Sequence, residues 1–216
     1  MAVNPMSPLT ALQVMQDAPV IPVIVLHDVA HAVPLARALL AGGIRMLEVT
    51  LRTPQALACI EAIAREVPEA VAGAGTLRNA ADARAAQAAG AQFAVSPGFT
   101  ESLSQACADL KLPLLPGVAT SSEVMAVLET GHTECKFFPA VQAGGLPMLK
   151  AWQGPFADVR FCPTGGITAE SAPQFLALSN VVCVGGSWLL PAEAIEQGDW
   201  ARITRLAVQA RLLRNI

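Results

Sequence analysis

The sequence is short of charged residues. Only 14% of its 216 residues are Asp, Glu, Lys or Arg, against about 25% in an average soluble protein. Three of the basic residues are lysines and eleven are arginines, and the formal net charge is -3. Without a cluster of basic residues, the chain lacks the electrostatic pattern of a nucleic-acid-binding protein. The hydrophobic fraction of 53% predicts extra buried surface, and contacts between subunits are the expected place for it.

The sequence also lacks the features of exported, membrane-spanning and metal-binding proteins. Its first residues, MAVNPMSPLT, have no basic start and no long apolar core, so we expect no signal peptide. The longest uncharged stretch, residues 171–192, is broken by prolines, glycines and polar residues into helix, turn, strand and turn. The five cysteines form no CxxC pair, and the three histidines have no ligand spacing with them. We therefore expect a cytoplasmic protein with no metal, no membrane contact and reduced, buried cysteines.

Short runs typical of β-strands recur at intervals of 20 to 27 residues. Between them lie Ala- and Leu-rich segments with helical periodicity, several of which carry start or stop signals. These signals are Thr53-Pro54, the pairs Asn79/Asp82 and Thr120/Glu123, and the glycines Gly42 and Gly90. The strand-like runs are PVIPVIVL from Pro19, MLEVTL from Met46, AVAGAG from Ala70, QFAVSP from Gln92, LPLLPG from Leu112, ECKFFP from Glu134, VRFCPTGG from Val159 and VVCVGG from Val181.

Eight strands alternating with helices predict βα units and a parallel sheet, and apolar strands fit a sheet covered on both faces. Eight units in about 200 residues favour an α/β fold of the single-domain (β/α)8 TIM-barrel type. An open doubly wound sheet is the alternative, because periodicity cannot show that a sheet closes. No linker interrupts the chain, so we expect one domain over residues 1–216, with residues 1–17 as a lead-in helix or extension.

One lysine stands inside a run that otherwise reads as buried strand. Lys136 follows Cys135 and precedes Phe137 and Phe138, and proteins seldom bury an ammonium group without a partner. Burial favours the neutral amine, which attacks carbonyl carbon and forms a Schiff base. Alternatively, the lysine ends in solvent or in a structural ion pair, whereas Lys111 and Lys150 are expected at helix ends or on the surface.

Alternation along strands places other polar groups near this lysine. Glu48 and Arg52 share one face of the second strand, and Lys136 shares a face with Phe138. If both faces point inward, a carboxylate and an amine meet at the mouth of the barrel. Glu48 could then move protons, and Arg52 could bind a carboxylate or phosphate. The simpler interpretation is that Glu48 and Arg52 pair with each other.

Glycine pairs follow the last two strands. Thr164-Gly165-Gly166 ends the seventh run and Gly185-Gly186-Ser187 ends the eighth. Barrels often hold a phosphate in these two loops, where glycine lets backbone N–H groups approach the anion. The pairs could also be ordinary tight turns. The three histidines, His27, His31 and His132, are expected to be polar loop or helix-edge residues.

Seven motifs in this order carry a family resemblance: LEVTLRT, GAGTL, SPGFT, LPGVAT, KFFPA, FCPTGGI and VGGSWL. Over residues 18–205, the chain closely resembles the bacterial family of KDPG/4-hydroxy-2-oxoglutarate aldolases, where KDPG is 2-keto-3-deoxy-6-phosphogluconate. The resemblance implies a metal-free class I aldolase on a (β/α)8 barrel, without a cofactor and assembled as a homotrimer. Its partners would be pyruvate and a phosphorylated 2-keto acid sugar, in the Entner–Doudoroff pathway.

The same motifs assign roles to individual residues. Lys136 would form the Schiff base and Glu48 would be the general acid/base. The pyruvate unit and its carboxylate would be bound by Arg52, Thr76, Pro97, Phe138 and Thr164. The phosphate would be bound by Gly165, Gly166, Gly186 and Ser187. One departure from the family pattern is Val141-Gln142-Ala143, where a more polar segment is expected; this loop could affect substrate or subunit contacts.

Three other functions remain open from the sequence. The preferred substrate could be 4-hydroxy-2-oxoglutarate or the galactonate analogue of KDPG. A phosphosugar isomerase or epimerase barrel would explain the glycine loops but not the enclosed lysine. A phosphosugar-binding module without catalysis would need neither Lys136 nor Glu48.

Overall fold

The structure is a computed structural model that describes residues 9–215, in which short strands alternate with helices. The strands are β1 (Val20–Ile24), β2 (Met46–Thr50), β3 (Val71–Gly75), β4 (Phe93–Val95), β5 (Leu114–Leu115), β6 (Gly117–Val118), β7 (Glu134–Phe137), β8 (Arg160–Pro163) and β9 (Val184–Gly186). The α-helices are α1 (Ala11–Gln16), α2 (Ala32–Ala41), α3 (Ala56–Glu66), α4 (Ala80–Ala88), α5 (Glu101–Asp109), α6 (Ser121–Glu129), α7 (Gly145–Trp152), α8 (Ala172–Leu176), α9 (Ala192–Glu196) and α10 (Trp200–Arg211). Short 3-10 helices cover Val29–His31 and Leu212–Asn215.

Strand pairing is parallel throughout these sheets and follows the order of the chain. One sheet has the order β5-β4-β3-β2-β1-β9, and a second has the order β6-β7-β8. Two isolated parallel bridges, Phe161 with Val181 and Thr164 with Gly185, connect β8 to the region of β9. The α/β class predicted from the sequence is confirmed. The parallel sheet curls, and its strand order differs from that of a doubly wound sheet.

The fifth predicted strand is divided in two. Pro116 separates β5 from β6, because proline has no N–H to donate to a neighbouring strand. β5 pairs with β4, whereas β6 pairs with β7. The Pro116 carbonyl still accepts a 2.9 Å hydrogen bond from the backbone N–H of Lys136. The chain therefore passes from one sheet to the other at this proline.

Most of the predicted helix signals are confirmed. Thr120 begins α6 with a complete capping box, and the Asn79 side chain accepts a hydrogen bond from the backbone of Asp82 at the start of α4. Gly42 caps α2, and Gly90 follows α4 with φ +94°. The start predicted at Thr53-Pro54 is wrong by two to three residues. The Thr53 hydroxyl donates to the Leu26 carbonyl (2.6 Å) instead, and α3 begins at Ala56.

Two apolar clusters hold the elements together. The larger one lies between the strands and the surrounding helices. The smaller one contains Val14 and Met15 of α1, packed with Ile21, Met46 and Phe93 from strands β1, β2 and β4. Helix α1 thus covers the amino-terminal ends of these strands. It belongs to the predicted lead-in segment, of which residues 1–8 lie outside the described residues.

The cysteines and the long uncharged stretch agree with the predictions. All five cysteines are buried and none of them forms a disulfide bond within residues 9–215, and burial raises the pKa of Cys107 to about 11 and that of Cys135 to about 12. Residues 171–192 contain α8 and β9 with turns between them, as their prolines and glycines predict. In the part of the chain that the structure describes, none of the helices is both long enough and apolar enough to span a bilayer.

Candidate active site

The side chains of Lys136 and Glu48 meet inside the curled sheet. Lys136 lies on β7 and Glu48 on β2, and the Lys136 Nζ to Glu48 Oε1 distance is 3.2 Å. Only 4% of the lysine side chain and 3% of the glutamate side chain are exposed. The contact predicted from strand alternation is present, and Lys111 and Lys150 are exposed as predicted. The alternative pair of Glu48 with Arg52 is not formed within residues 9–215.

Glycines on β3 make room for the Glu48 carboxylate. Gly73 and Gly75 are paired in register with Glu48 and Thr50 of β2. A Cβ on Gly75 would overlap Oε1 and Cγ of Glu48, and one on Gly73 would overlap the ring of Phe93. In the sequence, Gly75 is recognisable only as the last residue of the strand-like run AVAGAG. The signal for its role is the alternation of glycine in VAGAG, which leaves one face of β3 without side chains after Val71.

Phe138 and Thr50 complete the surroundings of the pair. The Lys136 Nζ lies 5.1 Å from the centroid of the Phe138 ring, within the range in which an aromatic face attracts a cation. The Thr50 hydroxyl donates to the Ile24 carbonyl (2.9 Å), which ties β2 to β1 beside the site. A single proton transfer from the lysine to the glutamate would leave a neutral amine next to a carboxylic acid. The pair therefore contains both a nucleophile and a group that can accept and return a proton.

Arg52 and Thr76 form a second polar group at the strand ends. The Arg52 Nε donates a long hydrogen bond of 3.4 Å to the Thr76 hydroxyl. Thr76 has φ +64°, a left-handed conformation that is unusual for a β-branched residue. Arg52 is exposed and has no acidic partner within residues 9–215. Its guanidinium group is consequently available to an anionic ligand.

A cavity of about 310 Å³ opens at these strand ends. It brings together seven of the residues predicted for the site: Arg52, Phe138, Thr164, Gly165, Gly166, Gly186 and Ser187. Sequence reasoning missed Val23, Val25 and Ile167, which also line the cavity. Val23 is paired in register with Glu48 across β1 and β2, so its position follows from the pairing of the strands rather than from any motif.

The glycine loops at this cavity have the backbone geometry that glycine permits. Gly165 has φ +103° and Gly166 has φ +76°, a conformation that L side chains rarely adopt. A Cβ on Gly185 would overlap the Thr164 hydroxyl, and one on Gly186 would overlap the Trp188 ring. Left-handed backbone therefore explains the glycines of the first loop, and the close side chains of Thr164 and Trp188 explain those of the second.

Pro97 lies apart from the other predicted residues. It lines a separate cavity of about 140 Å³ with Leu77 and Thr100. A Cβ on Gly117 would overlap the Pro97 carbonyl, and Gly117 is the register partner of Lys136. The Pro97 backbone thus lies next to the strand that neighbours the lysine, and its contact with a ligand stays a prediction.

The histidines lie outside this site. His27 is exposed, and His31 ends the first 3-10 helix. His132 Nε2 lies 2.8 Å from the Ser104 hydroxyl, and burial lowers the pKa of this histidine. Among residues 9–215 there is no group of three or more His, Cys, Asp or Glu side chains that could hold a metal ion.

Comparisons with known proteins show that the chain is similar to aldolases. A family model described as KDPG and KHG aldolase matches residues 12–206. The chain is 53% identical to the KHG/KDPG aldolase of Escherichia coli K12 over 93% of this chain and 94% of that protein. The KDPG aldolase of Legionella pneumophila, solved with pyruvate captured at low pH as a covalent carbinolamine intermediate, is 48% identical. It superposes with a TM-score of 0.91 over 93% of this chain and 97% of that one. The KDPG aldolase of Zymomonas mobilis, solved with 3-phosphoglycerate, is 52% identical, with a TM-score of 0.87 over 93% and 94% of the two chains.

Proposed function

This chain belongs to the KDPG and KHG aldolase family, and on that premise we propose that it is a class I aldolase that cleaves KDPG. The products are pyruvate and D-glyceraldehyde 3-phosphate. A second substrate is 4-hydroxy-2-oxoglutarate, which yields pyruvate and glyoxylate, as the name of the Escherichia coli relative suggests. Both substrates share a 2-keto acid with a hydroxyl group at C4, which is the unit that a Schiff-base aldolase requires.

The observation that carries this proposal is the buried pair of Lys136 and Glu48. An amine and a carboxylate 3.2 Å apart, both shielded from water, are the two groups that imine chemistry needs. Lys136 is the Schiff-base residue and Glu48 is the general acid/base. A structural ion pair alone would not need an open cavity lined by the neighbouring Phe138.

The proposed reaction proceeds through a covalent imine on Lys136. The Lys136 amine attacks the C2 ketone to form a carbinolamine, which loses water to give a protonated imine. Glu48 removes the proton of the C4 hydroxyl, the C3–C4 bond breaks, and its electrons move into the imine to form an enamine. The aldehyde leaves, C3 is protonated, and water hydrolyses the imine to release pyruvate and the free amine. The iminium supplies the polarisation that a metal supplies in other aldolases.

The two ends of the cavity suit the two ends of KDPG. Arg52 and Thr76 bind the C1 carboxylate beside the imine, and Phe138, Thr164 and Pro97 shape the pyruvate subsite. The C6 phosphate is bound by four residues on the two glycine loops: Gly165, Gly166, Gly186 and Ser187. The shared cavity, the Arg52 guanidinium without an acidic partner within residues 9–215 and the left-handed glycines support this assignment for the residues that line the cavity. Thr76 is included because its hydroxyl accepts the hydrogen bond from Arg52, and Pro97 rests on the family resemblance alone.

We extend the proposal to architecture and assembly. The strands form a closed (β/α)8 barrel in one domain over residues 1–216, supported by the bridges between β8 and the β9 region and by the pairing of β9 with β1. The protein is a cytoplasmic homotrimer of the Entner–Doudoroff pathway. Exposed apolar side chains support self-association: Met125, Val141, Val208 and Leu212 are each more than 40% exposed.

Trapping the imine tests the proposal. Pyruvate followed by borohydride should add a reduced pyruvate group to Lys136, located by peptide mass mapping, and should abolish cleavage of KDPG. The Lys136→Ala variant should gain no adduct, whereas the Lys150→Ala control should be labelled like the wild type. A label on Lys111 or Lys150, or none at all, would exclude the Schiff-base assignment and favour an isomerase, an epimerase or a binding module. Comparing cleavage of KDPG with that of its galactonate analogue then identifies the preferred sugar.

A further inference from the structure

The segment after β7 forms a wall beside the Thr164-Gly165-Gly166 loop. The last register pair of β7 and β8 is Phe137 with Pro163, but the backbone contacts continue past it. The Ala140 N–H donates to the Thr164 carbonyl (2.8 Å), and the Val141 N–H donates to the Gly165 carbonyl (3.2 Å). These bonds hold residues 140–142 at a fixed position relative to the loop.

Two side chains of this wall face Gly166. The position that a Cβ would take on Gly166 lies 2.9 Å from Cβ and Cγ2 of Val141 and 3.6 Å from Nε2 of Gln142. Both side chains are exposed, and they lie beside Gly166, which is one of the residues that line the cavity. Within residues 9–215 the Gln142 carboxamide makes no hydrogen bond to the protein, and its N–H groups are free to bind a ligand. The wall thus presents an apolar contact and a neutral hydrogen-bond donor to the loop.

The phosphate end of the cavity is poor in charge. Of the described residues that line the cavity, only Arg52 is ionisable, and in the proposed reaction it binds the C1 carboxylate. What remains for the phosphate is the backbone N–H groups of the glycine loops and the Ser187 hydroxyl. A dianion held without a cation depends on the number of hydrogen bonds it accepts, and a carboxamide can donate to it without adding charge.

From this juxtaposition we infer that Gln142 is a phosphate-binding residue of this site. Its carboxamide donates to the phosphate group of the substrate from the side opposite the Gly185-Gly186-Ser187 loop, while Val141 packs on Gly166 and keeps the edge of the subsite free of charge. The inference rests on the proposed function and adds to it a residue outside the glycine loops. It explains how the departure Val141-Gln142 from the family pattern remains compatible with a phosphorylated substrate.

The inference is tested by measuring the kinetics of the Gln142→Ala and Gln142→Glu variants in the direction of KDPG synthesis from pyruvate and glyceraldehyde 3-phosphate. Loss of one hydrogen bond to a charged group should raise the KM for glyceraldehyde 3-phosphate about tenfold in Gln142→Ala. Gln142→Glu has the same shape but repels the phosphate, so its KM should rise further and the difference should shrink in high salt. The KM for pyruvate and the exchange of pyruvate methyl protons should stay at wild-type values, because neither involves the phosphate end.

A matched control and a direct binding measurement complete the test. Gln209→Glu makes the same change on α10. The neighbouring Val208 lies against Gly42 at the end of α2, away from the strand ends that carry the site. The kinetics of this control variant should match those of the wild type. Calorimetry should show weaker binding of 3-phosphoglycerate, but not of glycerate, by both Gln142 variants. Unchanged KM and affinity for phosphorylated ligands, or a loss of oligomeric mass instead, would overturn the role of Gln142. Wild-type protein that binds 3-phosphoglycerate but fails to cleave KDPG would overturn the proposed function separately.

Discussion

Replacing Glu48 with glutamine distinguishes a proton-transfer role from a structural one. At 3.2 Å and an effective dielectric constant of about 20, the Lys136 and Glu48 charges attract each other by about 5 kcal/mol. Breaking a buried pair by removing one partner costs about 3–5 kcal/mol of folding stability. Because the glutamine oxygen can still accept a hydrogen bond from the lysine, we expect about 3 kcal/mol, a large part of a typical total of roughly 5–15 kcal/mol.

The catalytic effect should exceed what this loss of stability explains. If Glu48 transfers protons, turnover per folded molecule should fall by about 10²- to 10⁴-fold, while Lys136 still traps pyruvate. Exchange of pyruvate methyl protons should fall as well, because forming and protonating the enamine use the same group. The assay pairs the KDPG cleavage rate with proton exchange measured by NMR, on a variant shown to be folded by its circular dichroism and thermal transition.

Glu134→Gln is the matched control for this experiment. Glu134 lies two residues before Lys136 on β7, is only partly buried, and makes no ion pair within residues 9–215. The same chemical change there should leave both rates near wild type. If Glu48→Gln also kept wild-type rates in both assays, Glu48 would have no part in the mechanism and Lys136 would need another base.

Three further predictions concern Gly75, the proposed trimer and the buried cysteines. Gly75→Ala should reduce turnover by at least tenfold at a stability cost of about 1–3 kcal/mol, because its Cβ displaces the carboxylate oxygen that meets Lys136; a fully active variant would show that this contact is dispensable. Light scattering should give a mass of about three times 22.4 kDa, and a stable monomer at micromolar concentration would refute the trimer. Because burial raises the pKa of Cys107 to about 11 and of Cys135 to about 12, both should resist iodoacetamide at pH 8 until the protein is unfolded; labelling of both in the native state would contradict their burial.

The sequence predicted the α/β class and the meeting of Lys136 with Glu48 for the same physical reason. Parallel strands that follow one another in the chain end at the same edge, and alternation decides which side chains share a face. Glu48 and Lys136 are 88 residues apart, yet the two rules suffice to bring them together. Of the three lysines in the sequence, Lys136 is the one inside an apolar strand-like run, so the cost of burying a charge singles it out as the candidate nucleophile.

Features that depend on a neighbouring strand were harder to predict. The role of Gly75 becomes visible only when register places it beside Glu48, and the division of the fifth strand depends on which neighbours β5 and β6 each find. The position of Gln142 against Gly166 depends in turn on a loop whose backbone carries no periodic signal. In each case the deciding interaction is between segments distant in the chain, which local sequence patterns do not encode.

The apolar layer formed by Met15, Met46 and Phe93 lies on the amino-terminal side of the candidate site. Met46 lies two residues before Glu48 on the same face of β2, so this layer closes the space on the amino-terminal side of the reacting pair. In the proposed reaction the pyruvate unit stays covalently bound to Lys136 until the imine is hydrolysed, so the aldehyde departs before pyruvate. Such an ordered release would make pyruvate a competitive inhibitor against KDPG and glyceraldehyde 3-phosphate a noncompetitive one, while the apolar layer closes the amino-terminal side of the site to both products.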